Sequence, residues 1–261
     1  MQFGMPTLIE CKTPEACAAL CDALGLAFVE LNMNFPEYQA NRLDTEQLLR
    51  VAKEYGIYYT IHLDENCNPC DFNDRVAAAY TETVLQTIGA AKRLSAPILN
   101  MHLAEGIYLT LPGAKVFLFD EYKEEYLHRL AAFRSRCEAE IADSDIKICV
   151  ENTAAFQRDF AGEALRALLK SPAFSLTFDI GHNAASGFLQ QPLIYRHIDR
   201  LRHMHIHDAK GKANHLALGD GSLDLAEYIA LARKHNSCAV LEVKTVAGLK
   251  QSVRWLKEMY L

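Results

Sequence analysis

Acidic residues stand inside apolar segments at three places in this sequence. Glu151 lies in ICVEN, Asp179 in LTFDI and Glu242 in AVLEVK, and His205 lies in the run HMHIHD. An ionised carboxylate in apolar surroundings needs a partner that offsets the loss of its hydration. Three carboxylates that meet repel one another unless they share a cation. We therefore predict that Glu151, Asp179, His205 and Glu242 bind one divalent metal ion, which accepts both carboxylate oxygen and imidazole nitrogen.

The ligand types do not select one metal, and they leave room for a second. Carboxylates mixed with imidazole suit Mn²⁺, Mg²⁺, Co²⁺ or Zn²⁺. Four further histidines stand at or just after strand-like segments: His62, His102, His182 and His215. These four bind either a second ion or the hydroxyl groups of a substrate. For His62 and His102 we favour hydrogen bonds to a polyol, because two histidines alone make a weak metal site.

Strand-like and helix-like segments alternate from one end of the chain to the other, in the order that could bring these residues together. The strand-like segments are 3–9, 27–33, 57–63, 97–103, 146–152, 174–180, 201–207 and 239–244. Capping residues precede the clearest helices, at Thr13, Asp44, Asn73 and Asp224, and a final helix is predicted around 247–258. Eight such units without a flexible linker predict an α/β fold, a single (β/α)₈ TIM barrel that forms one domain over 1–261.

A doubly wound open sheet is the alternative fold. That fold normally has fewer strands and a glycine-rich first turn, whereas the first turn here reads ECKTPE. In a barrel, the active site lies at the carboxyl ends of the strands, which is where the candidate residues fall. The segment after the fourth strand, about 105–120, is unusually long and rich in apolar residues, and we expect a lid or an interface element there.

The run HMHIHD has histidines at alternate positions, so all three face one side of a strand. We expect His203 to be a buried structural histidine that bonds to a neighbouring strand. Asp208, on the other side, is expected to orient a ligand or to cap the following loop.

Five motifs at strand ends resemble those of one known family. VEN (150–152), DIGH (179–182), HIHD (205–208), HLALGDG (215–221) and LEV (241–243) are similar to motifs of the xylose-isomerase-like TIM barrels. That group includes sugar isomerases, ketose epimerases, inosose dehydratases and endonuclease IV, and the resemblance spans nearly the whole chain.

The resemblance to the epimerases implies a sugar or polyol substrate and an isomerase or epimerase activity. It implies that the predicted ligands hold one ion, with His205 as the ligand from HIHD, and that Glu151 and Glu242 also transfer protons through a metal-stabilised cis-enediolate. It further implies that His182 contacts substrate. Glu30 resembles an inward carboxylate that meets substrate or supports an imidazole, and the family implies a homo-oligomer.

Two other members of the family give alternative functions. Endonuclease IV, a phosphodiesterase on abasic DNA, has histidines where His62, His102, His182 and His215 stand. It also has an aspartate two residues before the last of these, and this chain has Ala213 there. That difference favours one or two metals over three. An inosose dehydratase-like lyase and a polyol-binding barrel without activity also stay open.

Composition and charge limit which binding partners and which cellular location we expect. The formal charge of −6 argues against a broad surface for nucleic acid. Lys210 and Lys244, in late barrel loops, are candidate cations for a substrate phosphate, although loop lysines are more often simply solvated. A bilayer-spanning apolar run and a signal-like amino terminus are both missing, so we expect a cytoplasmic protein without membrane contact. The motif ENCNPC, with Cys67 and Cys70, is interpreted as two loop thiols rather than as a metal or redox site.

Overall fold

Eight parallel strands close into a barrel. The computed structural model describes residues 1–142 and 144–260. The barrel strands are β1 (Phe3–Pro6), β2 (Phe28–Asn32), β3 (Tyr58–His62), β4 (Ile98–His102), β7 (Lys147–Glu151), β8 (Phe174–Asp179), β9 (Leu201–Ile206) and β12 (Cys238–Leu241). They follow one another around the barrel in chain order, and β12 pairs with β1 to close it. The predicted (β/α)₈ TIM barrel is confirmed.

The predicted strands were too long at their ends, most of all the first, 3–9 against Phe3–Pro6, and the last. The segment 239–244 was predicted as a strand, but β12 ends at Leu241. The Val243 N–H donates to the Leu241 carbonyl at 2.9 Å, so a tight turn replaces the strand ladder there. Glu242 and Lys244 therefore lie just beyond the strand, on the rim of the barrel.

Ten α-helices lie within the described residues. They are α1 (Pro14–Leu24), α2 (Thr45–Tyr55), α3 (Asp74–Leu94), α4 (Leu118–Glu121), α5 (Lys123–Ile141), α6 (Ala161–Leu168), α7 (Ile180–Ala185), α8 (Gln191–Arg196), α9 (Leu225–Lys234) and α10 (Val246–Tyr260). The four predicted caps are confirmed. Thr13, Asp44, Asn73 and Asp224 each accept a hydrogen bond from the first turn of the following helix, at 2.9–3.2 Å. Over the described ranges, no helix is both long enough and apolar enough to cross a bilayer.

Alternation along each strand separates the apolar layer from the polar axis. On β4, Leu99 and Met101 are buried in the apolar core, whereas Asn100 and His102 reach Glu151 on the neighbouring strand β7. Buried apolar side chains therefore lie between sheet and helices, and polar side chains collect inside the barrel.

Two small antiparallel hairpins extend from the carboxyl-terminal end of the barrel. The segment predicted as a long loop after β4 contains β5 (Tyr108–Leu111) and β6 (Ala114–Phe117), followed directly by α4. The second hairpin, β10 (Asp208–Lys210) and β11 (Ala213–Leu216), follows β9. Asp208 accepts hydrogen bonds from the N–H groups of Ala209, Gly219 and Leu223 at 2.8–3.1 Å, so its carboxylate holds the loop after β9 in place.

Candidate metal centre

The four predicted ligands come together at the carboxyl-terminal end of the barrel. Glu151 and Asp179 end strands β7 and β8, His205 lies near the end of β9, and Glu242 follows β12. These four strands are consecutive neighbours in the barrel, so their ends meet. One ligand atom from each residue lies within 4.8 Å of the others, and all four residues are buried. The arrangement joins three carboxylates and one imidazole in a volume the size of a coordination sphere.

Three atoms of the four candidate ligands have no hydrogen-bond partner among the described residues. They are Glu151 Oε1, His205 Nδ1 and Glu242 Oε2. His205 Nδ1 lies 3.1 Å from Glu242 Oε2 and 3.4 Å from Glu151 Oε2. Buried polar atoms are nearly always paired, so these three are available to a partner that the ligands share. The donor set fits a divalent cation.

Burial and neighbouring charges shift the pKa values of these residues in opposite directions. Burial, the largest single influence, would raise the pKa of Glu151 and of Glu242. The charge of His205 together with the other groups that bond to each carboxylate, His102 and His182 at Glu151 and His215 and Lys244 at Glu242, lowers both pKa values well below their usual range. Burial likewise would lower the pKa of His205, yet the charges of Glu151, Glu242 and Glu30 raise it well above its ordinary value. The carboxylates thus favour the protonated, positively charged form of His205. A bound metal ion would supply that positive charge instead.

Glu30 supports the imidazole from the opposite side. His205 Nε2 donates to Glu30 Oε1 at 2.9 Å, and His203 Nε2 donates to Glu30 Oε2 at 2.8 Å, where the Thr60 hydroxyl also donates at 2.9 Å. A proton fixed on His205 Nε2 leaves Nδ1 as the atom that turns to the carboxylates. Both oxygens of Glu30 are engaged with protein groups, although its side chain also lines the cavity described below.

His203 lies deeper in the barrel and is fully buried. Its Nδ1 is 3.0 Å from Cys238 Sγ on the neighbouring strand β12, in addition to its bond to Glu30. Burial opposes a charge on this ring, but the groups around it raise its pKa to about 9, with Cys238 the largest contributor and Glu30 next.

Asp179 is held by partners that the sequence did not indicate. The Asn152 side chain brackets its peptide group, since Oδ1 accepts from Asp179 N at 2.7 Å and Nδ2 donates to the Asp179 carbonyl at 2.8 Å. His207 Nε2 lies 3.1 Å from both carboxylate oxygens of Asp179, and His207 Nδ1 accepts from the His215 N–H at 2.7 Å. That acceptor role places the His207 proton on Nε2, so His207 donates to Asp179.

The four additional histidines form two pairs. His62 Nε2 and His102 Nε2 lie 3.6 Å and 3.1 Å from Glu151 Oε2, and the two rings meet edge to face. Asn100, which sequence analysis missed, also donates to Glu151 Oε2. The alternation of Asn100 and His102 in LNMH was the signal that could have indicated it.

The other pair stands across the site. His182 Nδ1 is 3.1 Å from Glu151 Oε1, and His215 Nε2 is 3.7 Å from Glu242 Oε2. Burial alone lowers the pKa of His182, but the charges of Asp179 and Glu151 raise it to about 10, whereas burial lowers the pKa of His215. All four histidines predicted as second-metal or substrate residues therefore surround the four candidate ligands.

A cavity of about 160 Å³ opens beside the candidate centre. Its lining residues are Pro6, Thr7, Leu8, Ile9, Glu30, Asn32, Phe35, His62, Glu242 and Lys244. Lys244 Nζ lies 2.7 Å from Glu242 Oε1. Lys210, the other lysine proposed for substrate, is exposed on the β10–β11 hairpin and does not line this cavity. The two lysines predicted together therefore stand in different places.

The remaining sequence candidates lie outside the centre. Cys67 and Cys70 are buried free thiols, and burial raises the pKa of Cys67 to about 12.

The β5–β6 hairpin is anchored by Arg158, which lies 3.2 Å from Glu105 and stacks on the Phe117 ring at 3.9 Å.

The chain matches one protein family over most of its length. The model of the xylose isomerase-like TIM barrel family matches residues 18–259, and the chain belongs to this family. Among solved structures, a D-tagatose 3-epimerase-like protein superimposes with a TM-score of 0.80 at 22% identity, over 99% of this chain and 96% of that one. The 3-keto-D-glucoside 4-epimerase YcjR from E. coli gives a TM-score of 0.78 at 14% identity, over 99% of each chain. Protein MJ1188 of Methanocaldococcus jannaschii is 23% identical over 239 residues, 88% of this chain and 83% of that protein.

Proposed function

We propose that this protein is a divalent-metal-dependent isomerase or epimerase of a small sugar or sugar phosphate. The observation that carries the proposal is the convergence of Glu151, Asp179, His205 and Glu242 within 4.8 Å, with three buried atoms that lack partners. The epimerase names of two similar solved structures favour sugar chemistry. The cavity is smaller than the roughly 300–1,000 Å³ of drug-sized sites, which favours a small polyol.

The four residues would hold the ion, and a bound divalent ion would supply positive charge to an enediolate formed from the substrate. Glu151 and Glu242 each bring one oxygen to within 4.8 Å of the other's at the centre, and we assign the two proton transfers to this pair. One removes the proton beside the carbonyl, and the other returns a proton to the opposite face or to the neighbouring carbon. His182 and His62, at the edges of the site, are placed to donate hydrogen bonds to substrate hydroxyls.

Solvent exchange tests this chemistry directly. In D₂O with Mn²⁺ or Co²⁺, we expect deuterium to enter a ketose at the carbon next to the carbonyl, together with a second sugar detectable by NMR. A panel of free and phosphorylated ketoses and inososes identifies the substrate. Loss of exchange after chelation and its return with metal would support the metal requirement. Water loss in place of sugar interconversion would assign the protein to the lyases instead.

Two variants test the acid–base assignment. Glu151→Gln and Glu242→Gln should each abolish exchange, because an amide does not accept a carbon-bound proton at neutral pH. Glu258→Gln, on the exposed face of α10, is the matched control and should keep full activity. Retained turnover in both purified site variants would remove the proposed acid–base pair.

A second function has one observation in its favour. His62 and His102 converge on Glu151, and His62, Glu151 and His205 also form a group that could hold an ion. A second metal here would suit phosphodiester hydrolysis of the endonuclease IV kind. Ala213, exposed on β11, provides no carboxylate beside His182 and His215 for a third metal. Three zinc ions per chain with incision of an abasic duplex would reverse our order of preference.

A further inference from the structure

We infer that Lys244 is a positioning residue that keeps Glu242 a single-oxygen ligand of the metal site. The inference rests on the proposed function, because it assumes that Glu242 binds an ion. It differs from the expectation drawn from sequence, in which Lys244 is a cation for a substrate phosphate.

The two oxygens of Glu242 face different partners. Oε1 is 2.7 Å from Lys244 Nζ. Oε2 has no hydrogen-bond partner among the described residues and lies 3.1 Å from His205 Nδ1 and 3.7 Å from His215 Nε2. The ammonium therefore holds one oxygen while the other turns into the centre. With Oε1 bonded to the lysine, the carboxylate presents only Oε2 to an ion.

The backbone explains how the lysine reaches its partner. The turn after β12 buries Val243 and leaves residues 242 and 244 on the side of the cavity. Lys244 has a side chain that is 54% exposed, so it can retain this contact while substrate occupies the cavity. The turn at Val243 thus brings the Lys244 ammonium to the Glu242 carboxylate, two residues earlier.

Lys244 differs from the groups that hold the other carboxylates. Glu151 Oε2 accepts from Asn100, an uncharged donor in the barrel interior, and Asp179 Oδ1 accepts from the His182 N–H. Only at Glu242, among the three carboxylates of the described centre, is the donor an ammonium on the cavity wall. With one oxygen of Glu242 occupied, a coordination position stays open for substrate oxygens.

This arrangement predicts opposite effects on metal and on turnover. Removing the lysine frees Oε1 to bind the ion and also removes a positive charge near it. Lys244→Met should therefore bind Co²⁺ more tightly, on the order of threefold or more even at the dielectric constant of water. The visible absorption of bound Co²⁺ should weaken, since an added ligand raises the coordination number. The value of kcat/KM should fall by about 10- to 100-fold, the usual cost of losing a residue that orients a ligand.

The experiment measures Co²⁺ affinity and the Co²⁺ spectrum without substrate, and then kinetics on the sugar found by the exchange assay. Lys244→Arg should restore the wild-type spectrum, and Lys250→Met, exposed on α10, is the matched control. If the wild type binds no Co²⁺, the proposed function fails first. If the wild type binds Co²⁺ and Lys244→Met leaves both affinity and spectrum unchanged, this inference is wrong. A KM that then rises only for phosphorylated sugars would make the lysine a substrate contact.

Discussion

Exchanging His203 or His205 for asparagine tests which of two histidines, two residues apart, binds the metal and which one is structural. His203 is fully buried, and its ring contacts Glu30 Oε2 at 2.8 Å and Cys238 Sγ at 3.0 Å. An asparagine at 203 is too short to reach both groups. We expect His203→Asn to retain one metal ion per chain and to lose stability, whereas His205→Asn should lose the ion.

The expected size follows from the contacts that are broken. Thr60 and His205 still donate to Glu30 in this variant, so the loss is one hydrogen bond to a charged group, which contributes about 1.5–3 kcal/mol, and the weaker contact to the half-buried Cys238 thiol. We expect about 2–4 kcal/mol in total. At about 2.1 cal/mol/K of unfolding entropy per residue, a chain of this length loses about 4–7 °C in Tm.

Calorimetry in the presence of a chelator measures the metal-free Tm, because bound metal would add its own stabilisation. Elemental analysis and Co²⁺ titration give the metal content of each variant. His128→Asn, exposed on α5, controls for the substitution itself and should match the wild type in both assays. Equal loss of metal from the His203 and His205 variants would show that the ligand is assigned to the wrong imidazole.

Three further predictions concern the scaffold. Gly181→Ala should weaken metal binding and activity together, because a Cβ at this position would overlap the His207 ring that holds Asp179; metal titration checks this. Asp44→Ala should lower the free energy of unfolding by about 1 kcal/mol in urea titrations, through loss of the cap on Gln47 N. Burial raises the pKa of Cys21 from 9.0 to about 12. The protonated thiol therefore makes its full contribution to the free energy of unfolding below pH 9, and that contribution is lost as the pH rises toward 12. Cys21→Ser should therefore flatten the alkaline decline of unfolding free energy, measured under reducing conditions, by about 1.4 kcal/mol per pH unit.

Local rules were sufficient for the parts of the fold that local chemistry determines. The helix caps Thr13 and Asp224 were predictable because each bonds to a backbone group three residues away. Helices α5 and α6 were implied by the eight strand–helix units but were not located, and both begin without a capping side chain, at Tyr122 and Phe160. Where the helix start depends on packing rather than on a cap, the sequence carries no comparable signal.

The candidate ligands were predictable for a different reason, whereas the contacts of the residues that support them were not, although Glu30 was a candidate support for an imidazole. Glu151 and Asp179 were recognisable because ionised groups in apolar strands need a partner, and a barrel brings strand ends together. The contact between His203 and Glu30 joins residues separated by 173 positions. It depends on how far each side chain reaches across the barrel, and that distance is not encoded in the period of either strand.

Two histidines of β9 and a third just beyond it, His203, His205 and His207, have one spacing and three different roles. The strand period turns all three rings toward the barrel axis, but their depth differs. His203, the deepest, pairs with Glu30, while His205 shares that carboxylate through Nε2 and turns Nδ1 outward. His207, one step beyond the strand, donates to Asp179 instead. Position along the axis therefore decides which carboxylate each ring meets, and of these three histidines only His205 lies between the supporting carboxylate of Glu30 and the three carboxylates of the candidate centre.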